Sequence, residues 1–270
     1  MRFRKRFRTH LLRMAAAFCF LMMLLPIFFV CWLSFFSNAI LSFPPEGYTL
    51  KWFAALWLQP QFADGFSTSL QVGLLAMAGG LAVGIPASLA LVRAELRFRE
   101  TLNTLLLSPL MVPGIVTGTA LYLFFVDVEI VTELPLKGSI PGLVLGHILI
   151  TIPWIVRLIA ANLVGVDRAI EEAAMNLGAD RLQTLLKVTL PLIRPGVVAA
   201  ALFSFVVSFG NLELSLFLVG PGVTTLPIAI LQYLEWKIDP TIAAVSLIQI
   251  VIIVAGMMIT NRFIRLSQIV

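Results

Sequence analysis

Two groups of residues in this chain have the types and spacing to do chemistry. The first is acidic and small: Glu171, Glu172, Ala173, Ala174, then Gly178, then Val188-Thr189-Leu190-Pro191 after nine further residues. Ile170, Ala173, Ala174 and Leu177 fall at i, i+3, i+4 and i+7, one apolar face of a short helix. Asp167 is placed to cap its start and Gly178 to close its end in a left-handed turn. Asp180 with Gln183 three residues on reads as a capping box opening a second helix. Its inward face would be Leu182, Leu185, Leu186 and Thr189, and Leu190-Pro191 would end it. A helix lying on lipid headgroups carries bulky apolar and basic side chains, whereas this one carries alanines and glutamates. Small side chains let another surface approach the backbone, so the chemistry expected here is docking into a protein groove.

The second group is polar within an apolar run: Ser204, Ser208, Asn211 and Glu213. Helical steps of about 100° put Ser204, Ser208 and Asn211 on one stripe, with Glu213 well off it. An acid this close to an apolar span is costly against lipid, so it should face a bundle, a cavity or water. These residues could line a transient cavity for a small solute, with Glu213 favouring a cation at its mouth. Tyr122 and Trp154 are the next path candidates. No catalytic constellation accompanies them: there is no G-x4-G-K-[ST] phosphate loop, HExxH, CxxC or G-x-S-x-G element. No metal site is expected. His147, within an apolar span, reads as a hydrogen-bonded packing residue, and Cys19 and Cys31 as small buried apolar ones.

The elements that must hold these residues are membrane spans. The chain has 270 residues, 60% hydrophobic and 12% charged, with mean hydropathy +1.00. A soluble domain would carry about 25% charged residues, so a water-soluble enzyme, a disordered chain and a disulfide scaffold are excluded. Six stretches lack Asp, Glu, Lys and Arg: 14–50 (membrane part 14–36), 65–92, 101–126, 138–156, 195–212 and 240–261. The fifth reaches full length by continuing through Glu213 to Val219. The first follows a basic segment, 1–13, but is too long for a signal h-region and reads as a retained anchor. With both termini inside, sixteen of the nineteen Lys/Arg fall in inside segments and only Lys51, Lys137 and Lys237 outside. Acidic residues show no such skew. No basic stripe or stacking platform suggests nucleic acid. Ala76, Gly80 and Gly84, Gly114 and Gly118, and Gly138, Gly142 and Gly146 read as close helix packing. Pro26, Pro86, Pro109, Pro113 and Pro153 should kink helices or end them. The expected architecture is one all-α transmembrane domain over 1–270, six helices, N-in/C-in. Its 157–194 segment, between helices 4 and 5, would be cytoplasmic and carry the helix–turn–helix over 167–191.

Glu172-Ala173-Ala174, Gly178, Val188, Leu190 and Pro191 resemble the cytoplasmic signature E-A-A-x3-G-x9-I-x-L-P of ABC importer permeases, with Val188 in place of Ile. The likeness extends toward spermidine/putrescine-type permeases through Ser42-Phe43-Pro44-Pro45, Ser108 to Gly114, and Phe217 to Gly222 with Thr225-Leu226-Pro227. That resemblance implies a transport subunit of the bacterial inner membrane without its own nucleotide site. The signature helix would dock on a cytoplasmic ABC ATPase dimer, which holds ATP and Mg. A second permease, a paralogue in preference to an identical copy, and a periplasmic solute-binding protein would complete the importer. The subgroup often has Ser-Phe-Asp in the fifth span, whereas here Ser208-Phe209 is followed by Gly210-Asn211. A polyamine is the favoured solute. An amino-acid derivative, an aminophosphonate or iron, or a stand-alone secondary transporter, are the alternatives.

Overall fold

The computed structural model describes residues 2–40 and 42–263, with side chains over 12–40 and 42–258. Arg265 lies outside the described residues. The described chain is helical: α1 Arg2–Leu33, α2 Lys51–Trp57, α3 Pro60–Arg93, α4 Arg99–Leu107, α5 Gly114–Thr132, α6 Ile140–Val164 and α7 Arg168–Asn176. Then follow α8 Arg181–Thr184, a π-helical turn Leu185–Thr189, α9 Leu190–Leu192, α10 Arg194–Phe209, α11 Ser215–Leu218, α12 Leu226–Trp236 and α13 Thr241–Phe263. Among the described residues five helices are long and apolar enough to cross a bilayer. A sixth is added if Arg181–Leu192 and Arg194–Phe209, bent by 70°, count as one span. The apolar runs explain this: in hydrocarbon a backbone must satisfy its own hydrogen bonds, and a helix does so.

The spans differ from expectation in three places. The third is broken: α4 and a 3₁₀ turn, Ser108–Leu110, end before Pro113, which opens α5 from an extended backbone (φ −56, ψ 138). Pro109 and Pro113 thus interrupt a helix, whereas Pro26, Pro86 and Pro153 sit inside continuous ones. The fourth helix runs on past the uncharged stretch, through Arg157 to Val164, and the next helix opens where expected, after Asp167. The fifth stops at Phe209 instead of continuing to Val219. At 16 residues α10 is about 24 Å long, short of a 30 Å hydrocarbon core.

Contacts divide the chain into two compact units, Met1–Phe62 with Ile230–Ile252, and Ala63–Ala229 with Ile253–Val270. In the first, Trp52 Nε1 donates to the Phe36 carbonyl at 2.6 Å and Phe62 lies against Tyr233 with ring centroids 5.1 Å apart. Buried Asp239 accepts from Tyr233 Oη at 2.9 Å and from the Thr241 amide at 2.9 Å, and pairs with Lys237 at 2.9 Å. None of α1 from Leu12 to Phe29 is buried. In the second unit, α3, α6 and α10 form the core. Ile155, Ile159, Leu163, Ile193 and Ala200 make one buried cluster, and Val72, Phe125, Leu143, Leu214 and Leu218 another. Close approach is secured by small residues: a Cβ at Gly80 would meet Ile155 Cδ1 at 2.7 Å and Thr151 Oγ1 at 2.8 Å, and one at Gly84 would collide with Ile155.

Candidate functional site

The helix–turn–helix expected from 167 onward is present and built from local signals. Asp167 accepts from the Ala169 amide at 2.9 Å and opens α7. At the other end the Ala179 amide donates to the Ala174 carbonyl (3.1 Å) and the Gly178 amide to that of Met175 (3.0 Å), with Gly178 at φ +94. These two bonds form a Schellman closure, which satisfies otherwise orphaned carbonyls and requires a left-handed residue. Asp180 then accepts from the Gln183 amide at 2.7 Å and opens α8.

One residue of the expected docking group faces inward. Glu171 is the one buried residue of α7. Arg93, the last residue of α3, reaches it at 3.0 Å (Nε–Oε2) and also donates Nη2 to the Val166 carbonyl at 2.9 Å. Thr189 Oγ1 donates to Glu171 Oε1 at 2.9 Å. The apolar residues face out: Ile170 and Ala173 are exposed, Met175 is 42% exposed and Leu177 90%, with Ala174 half-buried. Glu172 is exposed beside Arg168 at 3.7 Å, a surface pair of small energetic weight.

In the second helix Thr189 is buried as expected and Leu185 half-buried, but Leu182 and Leu186 are exposed and Thr184 lies inside in their place. The π turn at Leu185–Thr189 is the reason, since its i→i+5 bonding brings residues five apart to one side. Leu190 is half-buried and Pro191 exposed, and the helix carries on through both to Leu192 before bending. An open cleft of about 590 Å³ lies here, bordered by Arg93, Glu95, Arg168, Glu172, Arg181 and Thr184.

The polar residues of the fifth span do not share one open surface. Ser204 is fully buried and donates to its own helix, to Ala201 O at 2.9 Å. Ser208 is buried and lies 2.7 Å from His147 Nδ1. Ser215 Oγ donates to Asn211 O at 2.7 Å, so toward His147 Nε2, 3.3 Å away, it acts as acceptor. That fixes the imidazole with its hydrogen on Nε2 and leaves Nδ1 to accept from Ser208. His147 is thus a packing residue, tying α6 to both sides of the break at 210–214. Asn211 leaves the expected stripe because α10 ends at Phe209, and its Oδ1 accepts from the Leu214 amide at 2.9 Å. Glu213 is exposed, with its carboxylate against Gly114 at the start of α5. Tyr122 is half-buried against the Val72 cluster, and Trp154 half-buried against Phe203 with ring centroids 4.7 Å apart.

Arg93 and Ser215 were not singled out from the sequence, and Thr189 was assigned to an inward face but not to Glu171. Arg93 lies 78 residues from Glu171, and a Thr184–Thr189 spacing of five carries a signal only if a π turn is assumed. Among the described residues no three His, Cys, Asp or Glu converge as a metal site, and Cys19 is exposed and Cys31 half-buried.

Residues 80–268 match the family described as "Binding-protein-dependent transport system inner membrane component". The putrescine transport system permease protein PotI of Escherichia coli K12 is 30% identical over 202 residues, 74% of this chain and 72% of its own. A probable molybdenum ABC transporter permease protein of Haloferax volcanii is 31% identical over 176 residues, 64% of this chain and 65% of its own. A bacterial alginate ABC transporter, crystallised with a periplasmic protein carrying alginate pentasaccharide, has a chain of the same fold. Its TM-score is 0.75 at 15% identity, over 96% of this chain and 94% of that one. The family is a membrane transport component without ATPase activity of its own, and a multi-pass position in the inner membrane agrees with the apolar helices. By that match, over well more than half its length, the chain belongs to the inner-membrane permease family of binding-protein-dependent ABC transport systems.

Proposed function

We propose that this chain is half of the translocation path of an ATP-driven importer of a small organic cation, a polyamine such as putrescine being the favoured solute. Both termini lie in the cytoplasm, α7 and α8 project there as the docking element for an ABC ATPase dimer, and a paralogous permease supplies the other half. A periplasmic binding protein delivers the solute, and ATP and Mg are held by the ATPase.

The observation that carries this reading is the outward apolar ridge of α7. A nine-residue helix is marginal alone, and amphipathic helices normally bury their apolar stripe. Here Ile170, Ala173 and Leu177 are exposed while a carboxylate is buried, so the ridge is free to enter a partner's groove. Glu172, Ala173, Ala174 and Gly178, with Leu190 and Pro191 completing the segment, are the residues of this docking surface. Glu171 belongs to its support rather than to its face. The sixteen-to-three distribution of Lys and Arg supports the same side for this segment and the termini.

Polyamine as solute is supported by the putrescine permease relative and by Glu213, exposed at the break after α10. The path is proposed to run past Asn211 and Glu213, with Tyr122 and Trp154 flanking it and Ser204 and Ser208 supporting it from behind. The molybdenum permease relative, at similar identity, makes an oxyanion the second reading. The experiment is co-purification with the ATPase for Glu172→Lys, together with uptake of labelled putrescine, competed by spermidine and by molybdate, and uptake of labelled molybdate. Loss of the ATPase is expected for Glu172→Lys. Full assembly in that variant would remove the docking reading, and absence of putrescine uptake beside uptake of labelled molybdate would remove the polyamine.

A further inference from the structure

We infer that Arg93 is a positioning residue that clamps the docking helix α7 to the end of α3, so that the two move as one body. The inference rests on the docking reading above and adds the link by which a displacement of α7 reaches a membrane span.

Burial of apolar surface does not orient α7. Its one buried side chain is Glu171, and Ile170, Met175 and Leu177 lie in the open. Two other segments meet at that carboxylate, and a third is tied in through the guanidinium. Arg93 of α3 pairs with it at 3.0 Å, Thr189 of the π turn donates to it at 2.9 Å, and the same guanidinium ties down the Val166 carbonyl at 2.9 Å just before α7. With Arg93 and Glu171 side chains only 20% and 11% exposed, water competes little for these bonds. Charge-assisted bonds of this kind are directional, unlike hydrophobic contact, and a guanidinium offers several donors in a fixed plane. A cation at the last turn of α3 is also favoured by that helix's own carbonyls. The π turn gains a function here, because it is the local distortion that turns Thr189 toward Glu171. An ordinary α-helical register from Thr184 would point the hydroxyl elsewhere.

The test is made on the complete importer reconstituted with its own ATPase. Spin labels replace exposed Ala94, next to Arg93, and exposed Asn176, at the far end of α7. Distance distributions are recorded without nucleotide and with ATP and vanadate. We expect one narrow distance that is the same in both states, a broadened or state-dependent one in Arg93→Met, and recovery of the narrow one in the exchanged pair Arg93→Glu/Glu171→Arg. Putrescine uptake per ATP hydrolysed should fall about tenfold in Arg93→Met while basal hydrolysis stays, a split that a general folding defect would not give. If Arg93→Met fails to accumulate, Arg93→Lys and the exchanged pair are compared on the same measurements. A wild-type distance that differs between the two states overturns the clamp, and so does a narrow, unchanged distance in Arg93→Met. Failure of the docking reading is recognised separately: Glu172→Lys would then assemble with the ATPase normally, whatever Arg93 variants do.

Discussion

Gly178 offers a perturbation whose magnitude can be worked out in advance. It holds φ +94 in the Schellman closure of α7, and a Cβ placed on it would meet nothing within 4 Å. The cost of a side chain there is therefore backbone strain alone, about 1–2 kcal/mol for an L-residue in the left-handed region. Such a cost shifts the balance between closed and frayed helix end by about 5- to 30-fold. Asn tolerates that region best among non-glycine residues and β-branched residues worst, so the order of increasing damage should be Gly178→Asn, Gly178→Ala, Gly178→Val. The assay is amide exchange at Ala179, whose N–H closes the motif, alongside ATPase co-purification. Protection and assembly should decline in that order together. If Asn were as damaging as Val, backbone strain would not be the cause and a direct steric contact with the partner would replace it. If Val were neutral in both assays, the left-handed closure would not matter to docking at all.

Gly84→Ala should destabilise by about 1–3 kcal/mol through overpacking against Ile155, and Gly84→Ala/Ile155→Ala should lose less than the sum of its parts, as measured by unfolding in detergent. His147→Phe should cost about 1–3 kcal/mol because the buried Ser208 hydroxyl loses its acceptor, and adding Ser208→Ala should recover part of that; strictly additive losses would refute the network. Burial pushes the Asp239 carboxyl up, but hydrogen bonds from Lys237, Thr241 and Tyr233 outweigh it and hold it below its ordinary value of 3.8. A carboxyl lowered by folding stabilises above its ordinary pKa, and that contribution is lost as pH falls through the folded value. Protection of the Thr241 amide should therefore persist at neutral pH and vanish on strong acidification, and Lys237→Met should move the loss to higher pH; a pH-independent amide would refute this.

Much was legible in the sequence because the bilayer is a demanding solvent. Any stretch long, apolar and uncharged enough to cross it must be a helix, so most spans were visible as composition alone. Caps are equally local, and Asp167, Gly178 and Asp180 act within a few residues of themselves. Breaks inside spans were less legible. Pro109 and Pro113 interrupt the third span while Pro86 and Pro153 are absorbed, and a proline's position in an apolar run does not by itself tell the two apart.

Facing was decided only by tertiary structure. Helical periodicity names a stripe but not what it meets, and on α7 the apolar stripe turned outward while Glu171 turned in. The reason is that a carboxylate can be buried when a guanidinium and a hydroxyl already wait for it, and those come from Arg93 and Thr189, far away in the chain or reached through a π turn. Ser208 and Asn211 were divided the same way, since the helix that would have aligned them ends at Phe209 and His147 takes the serine. Solvent, helix-forming stretches and caps could be read from the chain, because each depends on its own segment alone. Which side chains meet depends on segments brought together from across the chain, and no local pattern encodes that.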